Sequence, residues 1–150
     1  MRFWFDTEFI EDGRTIDLIS IGIVAEDGRE YYAEAWECDL ERASPWVREN
    51  VFPHLSGVCT RREVIAQDII GFVGAKPEFW AYYGDYDWVA LCQLYGTMID
   101  LPKGWPKFCR DVRQLFDEFG DPRLPDQEGD THNALADARW NKLAWESLTR

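Results

Sequence analysis

A chain of 150 residues, 46% of them apolar and 15% aromatic, is long enough for one well-buried core and too short for two ordinary domains, so residues 1–150 are expected to form a single domain. Sixteen Lys and Arg against 28 Asp and Glu leave a net charge of −12, which excludes the broad cationic face that duplex DNA or an anionic membrane surface requires. Cys38, Cys59, Cys92 and Cys109 form no C-x-x-C pair, and Asp6 and Glu8 interrupt the N-terminus before a signal-peptide core can form; free, mostly buried thiols in a soluble cytoplasmic protein are the expectation.

Large apolar residues from Phe3 to Phe9 read as a first strand, broken only by Asp6, Thr7 and Glu8. Ile16 to Ala25 is β-branched and apolar and pairs across the turn Glu26-Asp27-Gly28-Arg29 with a third strand, Glu30 to Trp36; its longest apolar stretch, Leu18 to Ala25, is broken by Ser20 and too short for a membrane span. Ser44-Pro45 starts a short helix that runs to about Phe52, where Pro53 stops it. Thr60-Arg61-Arg62-Glu63 has capping-box spacing, and the helix it opens runs toward Gly74. Glu78 to Tyr83 is a fourth strand, followed past Gly84 by a helix from Asp85 to Tyr95. Leu101 to Pro106 is loop-like, Arg110 to Phe119 is helical, Asp121 to Asp130 is polar, and a last helix starts near Thr131. Strands first and helices interleaved later predict an α/β domain with a mixed sheet flanked by helices.

Asp6 and Glu8 stand two apart on a strand, so both point to one face while Thr7 points to the other. Bare carboxylates in Phe3-Trp4-Phe5-Asp6-Thr7-Glu8-Phe9-Ile10 would be expensive to bury, which asks for bound cations. Spacing alone says little, because Asp39/Glu41 and Asp126/Glu128 share it in polar surroundings that need only be solvated. His132 and Asp137 carry more weight: H-x4-D falls where the last helix begins, with Asp137 among the small residues Ala134, Ala136 and Ala138. A further acidic pair, Asp85 and Asp87, sits where the fourth strand enters its helix, with Asp85 placed to cap it. Carboxylates from these segments can converge into a site for two Mg²⁺ ions and phosphoryl transfer.

The chain resembles the DEDD exonucleases of the branch with a catalytic histidine, relatives of RNase T, oligoribonuclease and the DnaQ proofreading subunit. Asp6-Thr7-Glu8 matches the first motif, Tyr86-Asp87-Trp88-Val89-Ala90-Leu91 the middle one, and His132 to Asp137 the third. The resemblance spans the whole chain and is strongest to the bacterial group of polyadenylate-specific 3′-exoribonucleases. It implies an RNase H-like fold, Asp6, Glu8, Asp87 and Asp137 as ligands for two Mg²⁺ or Mn²⁺ ions, and His132 as general base. It further implies single-stranded RNA 3′ ends as substrate and a homodimer. Asp85 remains the alternative third acid, since Tyr83-Gly84-Asp85 stands where relatives often carry an Asn before the Tyr-Asp pair. Thr7 and Phe9 are candidate substrate contacts, although Phe9-Ile10-Glu11 replaces the Thr-Gly-Leu-like segment common after the first motif. Trp4, Tyr83 and Trp88 are further stacking candidates, and Arg110, Arg113, Arg123 and Arg139 are candidate phosphate contacts. A single-stranded DNA exonuclease and a catalytically silent module of the same fold are the rival readings.

Overall fold

Alternation along the first strand sets the two faces of the sheet. The computed structural model describes residues 1–129 and 131–150; Asp130, the end of the polar segment read from the sequence, lies outside the described residues. In β1 (Arg2–Glu11) Phe3 and Phe5 enter one core, while Trp4 between them enters the other. β1 pairs antiparallel with β2 (Ile16–Ala25), which pairs antiparallel with β3 (Glu30–Ala35). With β4 (Cys59–Thr60), β5 (Glu78–Ala81) and β6 (Arg110–Asp111), they form one mixed sheet in the order β4-β3-β2-β1-β5-β6. Ile65 and Ile69 from α2 (Arg62–Val73) and Leu91 from α3 (Asp85–Gln93) cover the Phe3/Phe5 face. Val112 and Phe116 from α4 (Val112–Glu118) and Ala144 from α5 (Ala134–Thr149) cover the Trp4 face, leaving α1 (Pro45–Asn50) at the periphery. An α/β domain with a mixed sheet between helices is therefore observed.

Three local expectations are corrected. Thr60 does not cap α2: its carbonyl accepts from Trp36 N–H at 2.9 Å as β4 joins β3, and the Glu37 carboxylate takes the Arg62 N–H instead. Arg110 and Asp111 are strand, not helix, because both pair with β5. Gly84, not Asp85, is the residue that caps α3, and Asp85 is its exposed first residue. The cysteines are free, as expected; Cys38, Cys92 and Cys109 are half-buried, but Cys59 is exposed. Among the described residues, no helix is long and apolar enough to cross a membrane.

One packing detail places α5 against the strand that carries Asp6. Gly22 pairs directly with Asp6 across β1 and β2, and a Cβ at Gly22 would lie 2.4 Å from Leu135 Cα and N. Only a residue without a side chain lets the start of α5 come this close to the sheet. Gly22→Ala is expected to cost about 2 kcal/mol or more in chemical denaturation, since rigid backbone blocks the added methyl; unchanged stability would disprove the close approach.

Candidate active site

β1 and β5 run parallel only as far as Trp4 and Trp80, and the chain then leaves β5 through Tyr82 and Gly84. Beyond this split, Thr7 finds a side chain where a neighbouring strand would have been. Its backbone N–H and its hydroxyl both donate to Asp87 Oδ1, at 2.9 and 2.5 Å. Asp87 reaches that position from the first turn of α3. The turn itself is held by Asp111 of β6, whose carboxylate accepts from Tyr83 N–H at 3.2 Å and Gly84 N–H at 2.9 Å. The crevice at the carboxyl end of parallel strands thus receives a buried acid.

Asp6 and Glu8 face the α5 side, and the β1–β2 ladder slips by one residue immediately after Glu8, the kind of bulge that re-aims side chains. Asn133 caps α5, accepting from Leu135 N–H at 3.1 Å and Ala136 N–H at 3.0 Å. That cap leaves His132 in the preceding turn at φ +62° and Asp137 in the first turn. His132 N–H donates to Asp137 Oδ2 at 3.1 Å, and the Gln127 amide donates to Asp137 Oδ1 at 2.5 Å. Asn141, one turn further along α5, donates to the Phe5 carbonyl at 2.9 Å and ties the helix to β1. Asp6, Asp137, His132, Gln127 and Asn141 line a cavity of about 300 Å³.

The electrostatics are those of crowded acids. Burial and the charges of Asp87, Asp137 and Glu8 push the Asp6 carboxyl well above the usual range. Burial, then Asp137 and Asp87, raise Glu8 to about 8. Burial lifts Asp87 to about 6 against the pull of its bonds to Thr7, and it lifts Asp137 against the bonds from Gln127 and His132. Ligating atoms of Glu8, His132 and Asp137 lie within 4.8 Å of one another. Carboxylate oxygens and an imidazole so close, with acids as the main neighbouring charges of Asp6 and Glu8, fit divalent cations.

The structure therefore brings Asp6, Glu8, Asp87, His132 and Asp137 together. Exposed Asp85 has its charge felt at Cys109, beside Asp87 and Asp111. The other two D-x-E triplets behave as solvated acids: Asp39 caps a short 3-10 turn, and Asp126 pairs with Arg123. The candidate phosphate contacts are engaged elsewhere, Arg113 with Asp117 and Asp121, Arg123 with Asp126, Arg139 with Glu30 and Arg110 with Glu78. Trp4 and Trp88 pack in the interior, whereas half-buried Phe9 meets exposed Tyr86 with ring centroids 6.0 Å apart, and Tyr83 is exposed at φ +51°. Asp111, Gln127, Asn141 and Trp46, whose ring touches His132, escaped the sequence reading. An Asn amid the apolar face of α5 was the one available signal.

Comparison with known proteins shows the family of the chain. The model of the 3′-5′ exoribonuclease Rv2179c-like domain family matches residues 1–149. Two proteins of Mycobacterium tuberculosis, the 3′-5′ exoribonuclease Rv2179c of strain H37Rv and the 3′-5′ exoribonuclease MT2234.1 of strain CDC 1551, are each 52% identical over 147 residues, covering 93% of this chain and 88% of theirs. A chain in the structure of the yeast NOT1 MIF4G domain co-crystallized with CAF1 superposes with a TM-score of 0.54 at 13% identity, covering 98% of this chain and 80% of that one. That likeness concerns the fold alone.

Proposed function

Because the chain belongs to the 3′-5′ exoribonuclease Rv2179c-like domain family, we propose that it shortens single-stranded RNA from the 3′ end, adenylate-rich ends included, releasing nucleoside 5′-monophosphates. Within that family it is an enzyme, a 3′-5′ exoribonuclease. The finer assignment is to the DEDD exonucleases with a catalytic histidine, on an RNase H-like fold. The observation that supports it best is the cluster itself, with Asp6 flanked by the charges of Glu8, Asp87 and Asp137 and with His132 beside two of these acids.

Asp6, Glu8, Asp87 and Asp137 would hold two Mg²⁺ or Mn²⁺ ions, which supply a lowered water pKa and offset charge on the phosphoryl oxygens. Thr7 fixes Asp87, and Gln127 and the His132 N–H fix Asp137, so that each of these two carboxylates is held in one orientation in which it would receive a cation. His132 accepts the proton of the attacking water. The water oxygen bonds to phosphorus, the bond from phosphorus to the 3′-oxygen breaks, and that oxygen leaves with the electron pair and takes up a proton. Phe9 follows the acids on β1, where the terminal nucleotide would lie, whereas Thr7, expected as a substrate contact, is buried between Asp6 and Glu8 with its hydroxyl committed to Asp87. With the four candidate arginines ion-paired, substrate affinity rests on the cations and on a short stretch of stacked bases. A homodimer is proposed on the family resemblance and is checked by sedimentation velocity.

The test is incubation of 5′-labelled RNA and DNA of equal sequence with and without Mg²⁺. Stepwise 3′ shortening of RNA only in the presence of the cation is expected, and His132→Ala should lower kcat about 100-fold. Equal or faster degradation of DNA would transfer the assignment to a DNA exonuclease, and no shortening of either would overturn it.

A further inference from the structure

The ring of His132 is held by a residue that no motif contains. The His132 backbone, at φ +62°, is anchored at its N–H by Asp137, but that bond does not choose among the staggered rotamers of the side chain, which a packing contact against the ring can select. Trp46, the second residue of α1, supplies that contact: the two ring centroids are 4.9 Å apart and the planes meet at 81°, edge to face. Trp46 is 53% exposed and belongs to none of the three apolar clusters. Its indole therefore contributes little to the core. A second tie joins the same two segments, since the Asn133 side chain that caps α5 also donates to the His54 carbonyl at 3.4 Å. The segment from Ser44 to His54 thus meets the His132-Asn133 turn at two points, one on the ring and one on the cap.

We propose that Trp46 is a positioning residue that holds the His132 imidazole toward Glu8 and Asp137, so that α1 acts as a clamp on the general base. The proposal rests on the exoribonuclease reading, in which His132 takes a proton in the reaction. A base whose ring rests on an edge contact is sensitive to its loss, because small misplacements of a catalytic group cost large factors in rate.

Trp46→Ala and Trp46→Phe are compared with the wild-type enzyme on single-stranded RNA under saturating and limiting substrate. The expected result is a fall in kcat of about 10-fold or more for Trp46→Ala with KM unchanged, recovery of most of the rate in Trp46→Phe, and unchanged thermal melting in both. A raised KM with unchanged kcat would overturn the proposal and make Trp46 a surface that substrate contacts. Unchanged kinetics would overturn it as well. A readout independent of turnover comes from the ring resonances of the two histidines, His54 and His132. In the cation-free protein those of His132, identified by their absence in His132→Ala, should move in Trp46→Ala; constant shifts would show that the indole does not hold the ring. If the wild-type enzyme fails to shorten RNA, the exoribonuclease reading falls, while the resonance test still decides whether the indole rests on the His132 ring in solution.

Discussion

Asp6→Asn is expected to abolish the shortening of RNA, by roughly 10³-fold or more, and at the same time to raise the melting temperature of the cation-free protein at pH 8. The two effects have one cause. Asp6 lies on the sheet face that receives α5, and its carboxyl is pushed upward by burial and by three neighbouring acids. In the proposed site each of those acids would serve a cation, while the fold by itself opposes its charge. The asparagine keeps the shape and cannot ionise, so it deprives the proposed site of a ligand while relieving the cost that burial and the neighbouring Asp87, Asp137 and Glu8 impose on an acid at position 6. A relief of about 1 kcal/mol corresponds to roughly 2–4 °C in a chain of this size. Activity and stability should therefore move in opposite directions, which damage to the fold cannot produce. A variant that melts lower and is inactive would show that Asp6 is structural; one that retains wild-type turnover would remove Asp6 from the site.

How much of this arrangement was legible in advance depends on how local its cause is. Asp6, Glu8 and their shared face follow from alternation along ten residues of β1, and the start of α5 follows from a few residues around His132. Each is written within one element. What stayed hidden lies between elements. Arg110 and Asp111 form a two-residue strand, too short for any period, and it exists only because β5 lies beside it. Asp111 matters through the turn it holds, 27 residues earlier at Gly84. Thr60 shows the converse error: its local pattern was right for a cap, but pairing with β3 had already claimed its carbonyl. Gly22 carried a visible signal, a lone glycine in a β-branched strand, yet only the packed α5 explains it. For Trp46 there was no signal, since nothing in α1 announces that His132 will come to rest on it.

In the absence of divalent cations, the melting temperature is expected to fall as pH rises from about 5 to 8, and added Mg²⁺ or Mn²⁺ should reverse most of that fall. The sign follows from the acids. A carboxyl whose pKa is higher in the folded state than in the unfolded one binds its proton more tightly when folded. Its contribution is complete below the unfolded pKa and is lost as pH rises through the folded value. Asp87, raised from 3.8 to about 6, loses its share in the lower part of the window, and Glu8, raised from 4.5 to about 8, loses its share in the upper part. Asp6 and Asp137 act in the same direction. A cation binds the ionised carboxylates, so its stabilising effect should be small at pH 5, where protons must first leave, and large at pH 8. At a concentration 100 times its dissociation constant, the cation contributes about 2.7 kcal/mol, roughly 5–10 °C here. Thermal melts across this range with and without cation, on the wild type and on Asp6→Asn, give the answer. A cation shift of equal size at both pH values would mean that ions bind away from the raised acids, and an undiminished shift in Asp6→Asn would place them outside this cluster.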